Sequence, residues 1–296
     1  MMSNPVSIPA EASELSSPTA DLPDEVDLRL VVADMDGTLL DGEGRVPSRF
    51  ETVMARMREH GVVFMPASGR QLANLRATLG SAIAESPVIA ENGTIVVQGD
   101  DEIHRETITR SDAVAAVRTT RALREQGLDV GPVIATRDRA YVDRIDERFV
   151  RQCAFYYAAL EPVEDVLDLA LDNVLKIAVY AFGDAESECY EPLSAAVPGV
   201  QTVVSGAHWV DMMARTASKG RALAAVQERL GITPAQTAVF GDYLNDAELY
   251  DYSELSFAMA NAHPGILSRA RYIAPANTDD GVLRTIETLL DRLSPR

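Results

Sequence analysis

Val31-Val32-Ala33-Asp34-Met35-Asp36-Gly37-Thr38-Leu39-Leu40 is the stretch that decides the fold of this chain. Leu28 to Ala33, interrupted only by Arg29, has the length and composition of a buried strand in a parallel sheet. The carboxylates of Asp34 and Asp36 therefore begin where the strand ends. In an open α/β sheet, ligands bind in the crevice at the carboxyl ends of the strands, and Gly37 lets the backbone turn there and approach a ligand closely. A carboxylate at that point can ligate a hard cation through oxygen or attack an electrophile such as phosphorus. An Asp-rich β-turn without chemistry is the plainer alternative.

Outward from this stretch the strand-then-turn pattern recurs. A helix is predicted from Ser48 to His60, with Phe50, Val53, Met54 and Met57 on one face and Gly61 as its stop. The next strand, Val62 to Met65, runs into Ser68-Gly69-Arg70 and a helix from Gln71 to Leu79. A third strand, Pro87 to Ala90, ends on Glu91-Asn92-Gly93. Strands alternating with helices over short links predict a doubly wound parallel sheet, an α/β Rossmann-like core. Ser68 stands where a helix dipole favours an anion, although taken alone an N-cap role is the plainer reading.

The pattern changes between Thr94 and Ser205, where short β pieces alternate with helices near Ser111 to Gln126, Arg144 to Ala159 and Ala185 to Ala196. This predicts an inserted α+β cap domain over residues 96–206, flanked by core segments 27–95 and 207–296. Hinges are expected near Gly93 to Val97 and Ser205 to Ala207. Nothing inside the inserted segment identifies a ligand. Val210 to Met213 is assigned back to the core, and a helix opens at Ser218-Lys219-Gly220. A lysine in a first helical turn opposes the helix dipole and is easier to understand beside an anion, although a solvent-facing lysine is the plainer reading of this signal alone. The strand Thr237 to Phe240 then delivers Gly241-Asp242-Tyr243-Leu244-Asn245-Asp246 to the same sheet edge.

Composition sets the outer bounds. With 296 residues, 47% apolar and 24% charged, the chain is ordinary globular protein with room for one large or two moderate domains. A net charge of −18 repels polyanions, which argues against nucleic acid or an anionic membrane surface as partner. Cys153 and Cys189 show neither zinc-site nor disulfide-framework spacing, as expected of a cytoplasmic protein. Residues 1–26, rich in Pro, Ser and acids without a single Lys or Arg, read as a disordered tail and not as a secretory signal. Oligomeric state is not legible.

Taken in order, Asp34-Met35-Asp36-Gly37-Thr38, Ser68-Gly69-Arg70, Lys219-Gly220 and Gly241-Asp242-x-x-Asn245-Asp246 resemble the four motifs of the haloacid dehalogenase superfamily. The first two lie close together and about half the chain separates the second from the third, which resembles the Cof-type group with its large α/β cap. Glu91-Asn92-Gly93, Met259-Ala260-Asn261-Ala262-His263-Pro264 and Asn277-Thr278-Asp279-Asp280-Gly281-Val282 resemble that group too. The resemblance implies a Mg²⁺-dependent phosphatase acting on a small phosphomonoester, such as a sugar phosphate, through an aspartyl-phosphate. It implies Asp34 as nucleophile and Asp36 as general acid and base. Mg²⁺ would be held by Asp34, the Asp36 carbonyl and Asp242 with Asp246 in support, and phosphate by Ser68, Lys219 and Asn245. A phosphomutase or phosphotransferase is the alternative enzyme, and a non-catalytic phosphate-sensing module is the alternative of another class. Tyr243 departs from the small or polar residue usual in that group.

Overall fold

The computed structural model describes residues 22–294. In chain order the first unit contains β1 (Leu30–Ala33), α1 (Phe50–Glu59), β2 (Val63–Pro66), α2 (Leu72–Leu79), β3 (Pro87–Ala90), β4 (Ile95–Gln98) and β5 (Asp101–Arg105). The second holds α3 (Arg110–Glu125), β6 (Val130–Ala135), β7 (Ala140–Val142), α4 (Glu147–Tyr156), β8 (Leu160–Pro162), β9 (Lys176–Ala181), α5 (Glu191–Ala196), β10 (Val200–Gly206) and β11 (Trp209–Ala214). The chain then returns to the first unit with α6 (Lys219–Leu230), β12 (Thr237–Gly241), β13 (Leu255–Met259), the short α7 (Pro264–Leu267), β14 (Tyr272–Ala274) and α8 (Gly281–Leu290).

The core sheet has the order β14-β13-β12-β1-β2, and every neighbouring pair in it is parallel. β1 lies inside it, buried at all four positions, which is why its sequence is a continuous apolar run and not an alternating one. In register, Ala33 pairs with Phe240 of β12 and with Pro66 of β2. Asp34, Ala67 and Gly241 therefore leave the sheet along one edge. α1 packs beside α8, α1 lies against β2 and α8 against β14, so helices cover the sheet, while α6 lies against β3, β4 and β5.

β3 runs parallel to β2, as predicted, at the margin of the core sheet, and on its other side it opens a three-stranded sheet of order β3-β4-β5. It pairs antiparallel with β4, and its link to β2 is a single parallel bridge between Ala67 and Ile89. Glu91-Asn92-Gly93 is too short a connection for the crossover that parallel neighbours need, so a hairpin is the available geometry. Ile95, Val96 and Val97 of β4 consequently join the core cluster.

The second unit is a six-stranded sheet of order β10-β11-β9-β6-β7-β8, antiparallel except at β7 and β8. Successive residues of β9 point to opposite faces. Ile177 and Val179 pack with α3 and α5, while Ala178 and Tyr180 join Trp209 and Tyr157 on the other face. β11 belongs to this sheet because it forms a hairpin with β10 and lies beside β9, which corrects the assignment of Val210 to Met213 to the core. The cap thus spans about 108–214 and not 96–206, and the crossings fall near residues 106–109 and 214–218 instead of at the expected hinges. Of the expected tail, residues 1–21 lie outside the described residues. Leu22 and Val26 are buried in the core, and Val26 bridges to Leu293.

Candidate active site

The sheet edge gathers the predicted side chains. The turn after β1 places Gly37 at φ +77°, and a Cβ there would stand 2.4 Å from Asp242 Oδ2, so only glycine lets the first and fourth motifs meet. Thr38 Oγ1 donates to Asp242 Oδ1 at 2.8 Å. The turn is held from the far side as well, by Asn261 Nδ2 donating to the Gly37 carbonyl at 2.8 Å and Asn277 Nδ2 to the Leu40 carbonyl at 2.8 Å. These two asparagines give the Met259–Pro264 and Asn277–Val282 segments their place in the architecture.

α6 begins at Ser218, whose hydroxyl accepts from the Arg221 amide, so Lys219 is the first helical residue. Its side chain is fully buried, and Nζ donates to Asp34 Oδ1 at 2.5 Å and Asp246 Oδ1 at 2.7 Å. That arrangement answers the unfavourable dipole placement: the ammonium is fixed by two carboxylates. Asp246 is occupied on both oxygens, since Oδ2 accepts the Asp242 amide at 3.0 Å and the Tyr243 amide at 3.2 Å. Asp246 therefore braces Lys219 and the Asp242 turn.

Among the described residues, Asp34, Asp242 and Asp246 each bring a carboxylate oxygen to within 4.8 Å of the others. Three carboxylates against one ammonium leave two negative charges uncompensated, the charge of one divalent cation. The donor set is all oxygen, which suits a hard ion. The group titrates accordingly. Burial drives Asp34 well above the usual carboxylate range, opposed by Lys219 and reinforced by Asp246 and Asp242. Burial also raises Asp242 to about 6, partly offset by its bond from Thr38. Burial works against the charged form of Lys219, but Asp246 and Asp34 outweigh it and hold the ammonium above its ordinary value.

Asp36 does not join this cluster through its side chain. Arg70 takes both of its oxygens, with Nε to Oδ2 at 2.8 Å and Nη2 to Oδ1 at 2.5 Å, on the more exposed side of the site. Ser68 is buried, and its Oγ accepts the Arg70 amide at 3.1 Å. α2 starts beyond it with Gln71 at the N-cap position, so Ser68 is not the helix cap and its hydroxyl proton is available to an anion. Asn245 Nδ2 donates to Asn92 Oδ1 at 3.3 Å. Tyr243 lines the cavity and is 54% exposed, with its ring edge-on to His263.

The cap covers this edge and leaves a cavity of about 1170 Å³ that contains Asp34, Asp36, Ser68, Lys219, Asp242 and Asn245. Its far wall carries Tyr156, Tyr180 and Trp209. Gln71, buried at the foot of α2, closes the seam by exchanging two hydrogen bonds with the backbone of Ala159: Nε2 to the carbonyl at 3.2 Å, and the amide to Oε1 at 2.9 Å. Sequence reasoning missed Arg70 as the partner of Asp36, Thr38 as the partner of Asp242, and Gln71 at the seam. It also missed a buried charge cluster of Glu91, Lys176 and Asp211 beside the second motif. The legible signal for the last was a lone charge inside each of two apolar strands, Leu175-Lys176-Ile177 and Val210-Asp211-Met212.

A sequence model of the haloacid dehalogenase-like hydrolases matches residues 31–286. The 5-amino-6-(5-phospho-D-ribitylamino)uracil phosphatase YbjI of Escherichia coli is 28% identical over 271 residues, covering 90% of this chain and 98% of its own. An HMP-PP phosphatase of Cronobacter sakazakii is 28% identical over 256 residues, covering 83% and 89% respectively. In fold, the chain matches a haloacid dehalogenase-like hydrolase from Bacteroides thetaiotaomicron with a TM-score of 0.76 at 22% identity, covering 88% of this chain and 99% of that one.

Proposed function

We propose that this protein, which belongs to the haloacid dehalogenase-like hydrolase family, is a Mg²⁺-dependent phosphatase that releases phosphate from a small phosphorylated metabolite through an aspartyl-phosphate on Asp34. The observation that carries this reading is the meeting of Asp34, Asp242 and Asp246 within 4.8 Å around a buried Lys219. The curated relatives support it, since both named above are phosphatases.

Asp34, the Asp36 carbonyl and Asp242 would hold the cation, with Asp246 bracing them. When bound, it neutralises charge between the attacking carboxylate and the phosphate dianion. In the first half-reaction an Asp34 oxygen forms a bond to phosphorus as the ester P–O bond breaks, and the departing oxygen takes a proton from Asp36. In the second, Asp36 takes a proton from water as that water attacks phosphorus, the Asp34–phosphorus bond breaks and inorganic phosphate leaves. Ser68, Lys219 and Asn245 bind the non-bridging oxygens in both halves. Because Arg70 grips both Asp36 oxygens, proton delivery requires the carboxyl to swing off that guanidinium.

A cavity of about 1170 Å³ exceeds what a phosphate ester of a simple sugar fills, and its far wall is aromatic. Together with the uracil-bearing substrate in the name of the Escherichia coli relative, this favours a leaving group that carries a planar ring. The buried, unpaired Cys153 and Cys189 support a reducing, cytoplasmic setting.

The test is phosphate release from p-nitrophenyl phosphate and from a panel of sugar and ring-bearing phosphomonoesters, with Mg²⁺ or with a chelator. We expect Mg²⁺-dependent turnover, abolished in Asp34→Asn, and a phosphoryl mass on the Asp34 peptide after acid quench. Turnover that survives Asp34→Asn, or a metal-loaded protein inert toward the whole panel, overturns the reading.

A further inference from the structure

The catalytic reading leaves one buried cluster unused, at the seam where cap meets core. Lys176, at the start of β9, is almost wholly inaccessible, and so are Glu91 and Asp211. An ammonium has three protons to donate, and the Lys176 Nζ has three oxygens around it: Glu91 Oε2 at 2.7 Å, the Gly69 carbonyl at 3.0 Å and Asp211 Oδ2 at 3.2 Å. Two of these belong to the core and one to the cap. Gly69 lies between Ser68 and Arg70, so the cap lysine rests on the loop that offers Ser68 to the phosphoryl group.

The second arm runs through Asn92. Its Nδ2 donates to Asp211 Oδ2 at 3.3 Å, and its Oδ1 accepts from Asn245 Nδ2 at 3.3 Å. Backbone bonds tie the same two loops together: Ser68 N to Ile89 O at 3.0 Å, Asn92 N to Ser68 O at 2.9 Å and Glu91 N to Arg70 O at 3.1 Å. Glu91 and Asn92 hold φ of +49° and +59°, ahead of Gly93 at +96°. Two consecutive non-glycine residues in the left-handed region cost on the order of 1–2 kcal/mol each, and such strain persists only where the surroundings enforce it. Here the strained turn is what aims both side chains at the cap.

A buried ionic cluster is a poor way to gain stability, because apolar residues of the same volume do as well or better. Its position gives it another use. We propose that Lys176 and Asp211 are positioning residues for the phosphoryl-binding loops, so that the seating of the cap sets the geometry of Ser68 and Asn245 at Asp34. Lys176 fixes the Gly69 carbonyl and through it the Ser68 loop. Asp211 fixes the Asn92 amide and through it Asn245. A cap displaced from its seat leaves both loops without these partners. This rests on the phosphatase reading for the identity of the bound group.

The experiment uses the full chain with Mg²⁺ and orthovanadate as probe, a five-coordinate mimic of phosphoryl transfer, with binding read by calorimetry and turnover by p-nitrophenyl phosphate. Lys176→Met strands two buried carboxylates, so the triple variant Lys176→Met/Glu91→Gln/Asp211→Asn, which removes all three charges at nearly constant shape, is made beside it. In whichever variant folds, vanadate affinity and kcat are expected to fall on the order of tenfold or more, KM to change less, and Lys176→Arg to recover part of the loss. Folded variants within about twofold of the parent in both vanadate affinity and kcat overturn the proposal. Because vanadate binding needs no turnover, a parent that binds vanadate but hydrolyses nothing counts against the phosphatase reading alone, and the Lys176 question is still decided by affinity.

Discussion

Replacing Lys219 with Met removes the one ammonium bonded to Asp34 and Asp246 while keeping the length of the side chain. Even at the outer limit of 4.8 Å, two ionised carboxylates repel by roughly 3.5 kcal/mol at an effective dielectric constant of 20. Three carboxylates cannot all bear that without taking up protons, and protonation caps the cost. Breaking a buried ion pair from one side costs about 3–5 kcal/mol. At about 2–4 °C per kcal/mol for a chain of this size, the metal-free variant is expected to melt roughly 6–20 °C below the parent at pH 7.5. The sign with pH follows from the raised carboxylates. The stabilisation from a protonated Asp242 is fully present below the unfolded carboxylate value and is lost as pH rises through about 6. Asp34, also raised, acts in the same direction. The deficit of Lys219→Met should therefore shrink as pH falls from 7.5 to 5. Mg²⁺ should raise the melting temperature of the variant more than that of the parent, because the ion then supplies all of the countercharge, while kcat falls by a hundredfold or more, on the order of losing one transition-state donor. Scanning calorimetry in chelator and in Mg²⁺ at three pH values reads all of this. A melting temperature in chelator equal to the parent's, or equal Mg²⁺ shifts in both proteins, would refute the charge argument.

In the parent, protons and metal compete for Asp242, so stabilisation by Mg²⁺ should weaken as pH falls through about 6 and should be largely absent in Asp242→Asn; a pH-independent Mg²⁺ shift in melting temperature counts against Asp242 as a ligand. Gly37→Ala forces a Cβ to 2.4 Å from Asp242 Oδ2 at φ +77°, so it should cost about 1–2 kcal/mol from the backbone alone and weaken Mg²⁺ binding by displacing Asp242, an outcome that titration calorimetry reads directly.

The core and its edge were legible because each strand end is a local event. An apolar run long enough for a buried strand stops on Asp34, Ser68 or Asp242, and the run and its stop sit together in sequence. The unit boundaries were not legible. β4 and β11 are apolar runs that fit either sheet, and only pairing partners, which lie elsewhere in the chain, assign them. At Ser68 the sequence offers both a helix cap and an anion contact, and the start of α2 at Leu72 excludes the cap.

The sequence by itself determined which polar residues stand at the strand ends and at the start of α6, because apolar runs and their stops are local patterns, and the order of those motifs along the chain carries the resemblance to the family. Tertiary structure alone decided how those groups are charged and held. Arg70 on Asp36, Lys219 between Asp34 and Asp246, and Lys176 among Glu91, Gly69 and Asp211 are all contacts between segments remote in sequence. A charge inside an apolar strand shows in the sequence that some partner exists. Which partner it is depends on a fold that brings distant residues within a few ångströms in a medium where an unpaired charge is too costly to bury.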